Sequence, residues 1–388
     1  MAEEAVQSSF EETVALVLDV GSTLCRAGFS GEEAPRTTFP TIIGRPTDTG
    51  GENVEVNFAV GEEARRKRDT QGFKLTCPLQ RGAVSSWDDM ENILSFAIYH
   101  ELQAVPEEHP LLITEPPLHL KTNREKIAEL IFEDFKSPAL HLGNQGLMAL
   151  FAANCTTGLS VSVGNGLTHV VPVSDGIPLT HATIQLDYAG QDLTDLLMTL
   201  LTEQGHSFSR AVDREHVCTA KEELCYVAFD FDAELAAVQG GEEEVSKTHT
   251  LPDGTEITLK DERFRCPEVL FRQSVVGRDL YEGVHDMAHC AIAKCNMLLR
   301  RPLFENVVVS GGTTLLPGFC ERLEKELHLK APPSVHVKVA SGRSGTARQH
   351  ACWVGGAIYA SLSTFDKVCI GREDYEEFGP SVMARKTL

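Results

Sequence analysis

Apolar runs with strand character alternate along the chain with segments whose apolar positions recur every three or four residues. "TVALVLDV", Thr13 to Val20, is a continuous Val/Leu run that predicts a buried strand; Gly21 opens a turn, and "LCRAGFSG" continues as the paired strand. In "DDMENILSFAIYHEL", Met90, Ile93, Leu94, Ala97 and Ile98 share one helical face, which Ser86, Asp88 or Asp89 can cap. "TNREKIAELIFEDF" repeats that pattern. "LDYAGQDLTDLLMTLLTEQGHSF" predicts a loop at Gly190 leading into a helix with Leu193, Leu196, Leu197, Leu200 and Leu201, closed by Gly205 at C′. "HTLPDGTEITL" reads as a hairpin around Asp253-Gly254. "FENVVVSGGTTLLPGFCERLEKELHL" reads as a strand, a glycine turn and a helix with Pro317 at its beginning. "GRPTDTGGENVEVNFAVG" and "AAVQGGEEEVSKTH", with its acidic triplet Glu242 to Glu244, are expected to be loops or insertions.

One stretch repeats. Setting Asp19-Val20-Gly21-Ser22-Thr23-Leu24 over Ser162-Val163-Gly164-Asn165-Gly166-Leu167 keeps an apolar strand before the turn, the glycine at the turn and a β-type run after it. Glycine there lets backbone N–H groups face an anion with no Cβ in the way. A third glycine turn, Ser310-Gly311-Gly312-Thr313, joins the two. A duplicated α/β domain with one phosphate-gripping hairpin per half, and a nucleotide held by both halves, is the expectation. The repeat also sets the central question, because the first loop carries Asp19 where the second carries Ser162.

Length and charge narrow the picture. At 388 residues the chain predicts two domains or one large α/β body with a cleft. A formal net charge of −21 argues against direct contact with nucleic acid or an anionic membrane and favours a basic partner, the alternative being that the acidity serves solubility alone. The eleven cysteines are scattered without a C-x-x-C pair, a reduced, intracellular pattern in which buried thiols are expected; Cys290 with His285 or Cys295 is the one weak zinc candidate. The opening "MAEEAVQSSFEET" lacks the apolar core of a signal peptide, and no run has the length of a membrane span. "ARRKRD", Ala64 to Asp69, reads as a solvated face.

With these residues in view, the chain resembles the actin family along nearly its whole length. The resemblance is carried by "LDVGST", "RAGFSGEEAPR", "FPTIIGRP", "WDDMENI", "PEEHPLLITEPPL", "NREKI", "LDYAGQDLTD", "KEELCYVAFDF", "LPDGTEIT", "ERFRCPE", "SGGTTLLPG", "WVGGAIYASLSTF" and "GPSV". It implies an α/β, actin-like ATPase fold, two duplicated RNase-H-like domains around a nucleotide cleft. The implied outer domain takes residues 1–145 and 347–388, with a small insertion at about 41–77, and the inner domain takes 146–346, with an insertion at about 189–277. The implied cofactors are ATP or ADP and Mg²⁺. Asp19, Gly21, Ser22, Thr23 and Arg26, the last in place of the family's usual Lys, would form the first phosphate loop. Gly164, Asn165 and Gly166 would form the second, and Gly190, Lys221, Glu222, Gly311 and Gly312 would surround the adenosine. Gln145 and His169 would position the attacking water.

The departures from the family pattern carry the functional expectation. The family places one Asp on each loop to hold the waters of Mg²⁺, so Asp19 keeps that role through water while Ser162 offers the metal only a weak substitute. Asn165 also replaces an acid. The polymer contacts change too: "TDTGGENVEVNF" is shortened, Arg81 replaces a His, and "SVVGRDLY", with Val275, Val276 and Arg278, replaces an apolar plug. The implied partner site is an apolar lower cleft with Ile177, Leu362 and Phe365 among its residues, taking a helix. The sequence therefore predicts an ATP-binding, actin-like cytoskeletal protein, cytoplasmic, acting mainly as a structural or adaptor subunit with weakened hydrolysis. Actin itself, dynein-associated complexes and remodelling complexes are the partner classes, and nuclear or axonemal settings stay open. The alternative is a polymerising variant actin with ATPase activity.

Overall fold

The computed structural model describes residues 13–47, 58–208, 211–240, 245–251, 254–277, 280–340 and 345–386. The chain divides into two compact units, Met1–Asn154 with His350–Leu388, and Cys155–Gln349.

In the first unit, β1 (Leu16–Val20) runs antiparallel to β2 (Leu24–Phe29), which pairs in turn with β3 (Thr37–Pro40). On its other side β1 runs parallel to β4 (Leu111–Glu115), and β4 parallel to β5 (Ala139–Asn144), with Ile370–Gly371 closing that edge. The continuous apolar run of β1 has a direct cause, since alternate residues enter different cores. Leu16, Leu18 and Val20 pack in one cluster with Met90, Ile93 and Leu94 of α1 (Trp87–Ser95), while Ala15 and Val17 pack on the opposite face with Leu112 and Trp353. Trp353 pins that second layer by donating its indole N–H to the Val17 carbonyl at 2.9 Å. Ser86 caps α1, accepting from Asp89 N at 3.3 Å, and π-helical turns over Phe96–Glu101 extend it.

The short helix α2 (Gln145–Ala152) was not expected from periodicity, because "QGLMALFA" is apolar nearly all round. Its start is nevertheless encoded: Asn144 Oδ1 accepts from Gly146 N and Leu147 N at 2.9 and 3.2 Å.

The second unit repeats the sheet order. β6 (Gly158–Val163) is antiparallel to β7 (Thr168–Ser174), which pairs with β8 (Ile177–Pro178) and β9 (Ile184–Leu186). On its other side β6 is parallel to β10 (Val307–Ser310), and β10 to β11 (Val339–Ala340). Strands β6, β7, β8, β10 and β11 thus occupy the places of β1, β2, β3, β4 and β5. The core joins Leu159, Val161 and Val163 to Leu193, Leu197 and Leu201 of α3 (Gly190–Glu203). Gly205, at φ +98°, follows that helix as expected. Helices α4 (Ala211–Leu224), α5 (Val284–Lys294) and α6 (Phe319–Lys330) complete the unit. Helix α6 begins two residues after Pro317, with Gly318 at φ +83° between them. A buried ion pair, Arg322 Nη2 to Glu268 Oε1 at 3.0 Å, ties α6 to the Glu262–Glu268 helix.

The strands Lys247–Thr250 and Glu256–Leu259 pair as the expected hairpin. Asp253 of its turn, most of "TDTGGENVEVNF", Glu242 to Glu244 and Arg278 lie outside the described residues. No described helix is long and apolar enough to cross a membrane.

The turn after β10 is the tightest joint in the second unit. Gly311 sits at φ +93°, and a Cβ there would lie 2.3 Å from Val163 O. Gly311→Ala is expected to lower stability by about 2–4 kcal/mol, the combined effect of a disfavoured φ and a backbone clash. Gly312→Ala, whose Cβ would meet nothing within 4 Å, is expected to be near neutral in the same denaturation experiment.

Candidate functional site: two glycine hairpins

Each unit presents one hairpin, and the two are built alike. Gly21 N donates to Leu24 O at 3.0 Å, and Gly164 N donates to Leu167 O at 2.9 Å. Just below each turn lies a cross-strand pair on one face of the sheet: Asp19 opposite Arg26 in the first unit, Ser162 opposite His169 in the second. The neighbouring parallel strand carries a hydroxyl residue at or next to its end in both places, Thr114 before the last residue of β4 and Ser310 at the end of β10, the latter in register with Ser162. The duplication therefore matches Asp19 with Ser162, Arg26 with His169 and Thr114 with Ser310.

In the first unit this set is fully engaged. Arg26 Nη1 donates to Asp19 Oδ2 at 3.0 Å, Thr114 Oγ1 to Asp19 Oδ1 at 2.5 Å, and Gln145 Nε2 reaches the same oxygen at 3.5 Å. Arg26 Nε donates to His350 Nδ1 at 3.0 Å, so the guanidinium fork spans two acceptors, which a lysine ammonium would not do in the same plane. Desolvation first, and the Arg26 charge second, push the His350 imidazole down, consistent with a neutral ring accepting that bond. Cys25 is fully buried and Cys352 half-buried nearby; desolvation, reinforced by the Asp19 charge, raises both thiols far above their usual range, so neither serves as a thiolate ligand or nucleophile.

In the second unit the set is empty of charge. Ser162 is 6% exposed and His169 2%. His169 Nδ1 and the buried Ser310 Oγ have no hydrogen-bond partner, and neither has Ser160 Oγ, one pleat further back on the same face. Orphaned polar atoms of this kind are uncommon and call for a ligand or an ordered water. Their counterparts in the first unit are satisfied by a carboxylate, and here that carboxylate is absent. Burial alone pushes the His169 imidazole down to about 4.

The other expected site residues fall into distinct roles. Gly190 N donates to Gly164 O at 3.1 Å, Gln191 N to Asn165 O at 2.8 Å, and Thr313 Oγ1 to Gly164 O at 2.7 Å, so Gly164, Asn165, Gly190 and Thr313 form one bonded cluster. Gly311 packs against Val163, and Gly312 faces open space. Lys221 is buried, and its ammonium donates to Gly190 O and Thr194 Oγ1, both at 2.9 Å; it braces the start of α3 from behind. Glu222 is exposed, as is Thr23, while Gly21 and Ser22 are half-buried and Gly166 is buried. Thr114, His350, Thr194 and Ser310 were missed as site residues. Ser310 stood visibly in the third glycine turn, but its pairing with Ser162 is a property of sheet register.

The remaining candidates are placed individually. Phe365 is buried with Trp353 and packs edge-on against Tyr359 at 6.2 Å, so the expectation that it lines a docking surface is corrected: its ring fills the core. Ile177 and Leu362 are exposed. Val275 is exposed, whereas Val276 is half-buried against the second core. Arg81 takes a positive φ of 48°. The zinc pairing of Cys290 with His285 or Cys295 does not form. His285 stacks on Phe271, Cys295 Sγ donates to Ala291 O at 3.3 Å, and the groups beside Cys290 are Asp286 and His289, with Lys330 holding Asp286 at 3.2 Å.

A duplicated α/β sheet, each copy ending in a glycine hairpin above a cross-strand polar pair, is the architecture behind the repeat in the sequence. The Actin family model matches residues 10–388, and the chain belongs to the actin family. Members of this family generally bind a nucleotide and a divalent metal. The residues present fit a nucleotide: both hairpins offer backbone at glycine turns, and the second offers unpaired polar atoms. They fit a divalent metal only in part. Asp19 supplies oxygen ligands suited to metal-bound water, though Arg26 already neutralises it, and the Ser162, His169 and Ser310 set supplies no carboxylate.

The buried imidazole has a consequence for acid stability. An unfolded histidine takes up its proton near pH 6.5, whereas folded His169 resists it until about 4. Its contribution is fully present above pH 6.5 and is lost as pH falls towards 4. Denaturant titrations at pH 7 and pH 5 should show His169→Gln losing about 2 kcal/mol less than the parent over that interval.

Proposed function

We propose that this actin-family chain binds an adenine nucleotide through its glycine hairpins, hydrolyses it slowly or not at all, and acts mainly as a structural or adaptor subunit of a larger cytoskeletal assembly. The single observation that carries this reading is the contrast between Asp19, held by three partners, and Ser162, beside which His169 Nδ1 and Ser310 Oγ stand unpartnered.

Phosphoryl transfer rests on positioning and on charge stabilisation. A bound divalent ion would supply much of that stabilisation by neutralising the phosphate oxygens. Removing an outer carboxylate lowers metal affinity or activity by about 10- to 100-fold. The water-positioning candidates remain, but Gln145 Nε2 is aimed at Asp19, and His169 stays neutral and enclosed. Fewer carboxylates also mean less repulsion of the phosphates, so nucleotide binding survives the change.

The assembly reading is supported by altered surfaces. Val275 stands exposed on a single 3₁₀ turn ended by Gly277 at φ +71°, a small apolar contact where the family carries a larger apolar plug. Ile177 and Leu362 offer apolar contacts for protein partners, which are proposed to dock helices there.

Single-turnover phosphate release with ATP, parent against Ser162→Asp, tests the catalytic half of the proposal. The variant should be faster by about tenfold or more; an equal rate removes Ser162 as the cause. Sedimentation of purified protein with ATP tests the assembly half. The expected result is no pellet at any concentration, and a pellet that grows above a critical concentration would favour the polymerising ATPase instead.

A further inference from the structure

The second hairpin differs from the first in the polarity of what it presents, and this deepens the nucleotide reading, on which the present inference rests. In the first unit the cross-strand position is a carboxylate. It can only accept hydrogen bonds, and an anionic phosphate needs a cation between the two. In the second unit the same position is a hydroxyl, which has one proton to donate and two lone pairs to fill. Ser162 lies directly opposite His169 on one side and Ser310 on the other, all on the same face. Both neighbours have an unpartnered polar atom, His169 Nδ1 and Ser310 Oγ.

We propose that Ser162 contacts a nucleotide phosphate oxygen directly, donating its hydroxyl proton to it, while Ser310 Oγ and His169 Nδ1, which bond nothing within the chain, lie on the neighbouring strands, so that this protein holds ATP without needing a divalent cation. Three features support the assignment. Ser162 is the most exposed of the three side chains, so it is the one that meets a ligand, and the other two stand behind it. The loop above it is rigid, fixed by bonds from Gly190 N and Thr313 Oγ1 to Gly164 O. The matched position of the second unit carries no carboxylate, so nothing at Ser162 itself repels a phosphate or calls for a cation between the two.

Equilibrium titration of the full chain with ATP, in Mg²⁺ and again in EDTA, tests this without any turnover. The parent should bind with affinities within about threefold in the two solutions. Ser162→Asp should bind about tenfold or more weakly in EDTA and recover in Mg²⁺, since it restores an anion that needs a metal partner. Ser162→Ala should lose affinity by a similar factor in both solutions, leaving their ratio unchanged. Thermal midpoints of the variants without nucleotide report whether each is folded, and the parent's ratio decides the matter even where a variant is not. A parent that loses tenfold or more in EDTA overturns the inference and leaves nucleotide binding intact. Variants indistinguishable from the parent in both solutions remove Ser162 from the contact. A parent that binds ATP in neither solution overturns the nucleotide reading itself, and this inference with it.

Discussion

A buried charge must be met where it lies, and the first hairpin is organised around that constraint. Asp19 is 4% exposed, and removing Arg26 would leave an uncompensated carboxylate in the sheet, a defect of the order of 3–5 kcal/mol. Thr114, Gln145 and His350 follow from this pair: two of them bring further donors to the carboxylate, and the third accepts from the guanidinium's remaining edge. The second hairpin keeps the strand pairing and the glycine turn but has no charge to satisfy. Its three hydroxyl and imidazole positions are free to serve something that is not part of the chain.

Much of the architecture was legible because it rests on local rules. The Val/Leu run of β1 reads as a strand buried on both faces, and the structure divides its alternate residues between two cores. Ser86 and Gly205 mark helix ends by chemistry that acts within a few residues. The duplication was legible from two six-residue stretches, because a glycine hairpin between apolar strands leaves a repeatable trace. Helix α2 was not, since a segment apolar on every side has no period to detect; only its Asn144 cap marks it.

The site was legible to the same depth and no further. Asp19 and Ser162 stand in matched loops and can be compared by eye. Ser310 and Thr114 lie about 150 and 95 residues from the hairpins they support, at Ser162 and Asp19, and only parallel strand register brings them there. Lys221 shows the opposite limit: a lysine next to a glutamate reads as an exposed polar pair, yet its ammonium is buried against Gly190 O and Thr194 Oγ1. A residue's type announced its chemistry, while its depth depended on helix packing that no short motif records. Phe365 fails in the same way, as an apolar residue whose destination was the core rather than a surface.

The two hairpins also separate two tasks that a matched pair of acidic loops would combine. Gripping a phosphate needs a fixed turn with no Cβ in the way, and both units have a glycine turn closed by the same backbone bond, at Gly21 and Gly164. Handling a divalent cation needs carboxylate oxygens, and only the first unit retains one, already paired with a guanidinium. The difference at Ser162 leaves the glycine turn and the strand register alike in the two units, and bonds from Gly190 and Thr313 shape the second loop. If acid had been lost merely by drift, the positions around it would be expected to close over with apolar side chains, since unpartnered buried polar atoms are costly. Instead Ser310 and His169 remain polar and unpaired beside Ser162. Polar atoms with no partner thus stand in the second hairpin where their counterparts in the first, Arg26 and Thr114, are bonded to Asp19.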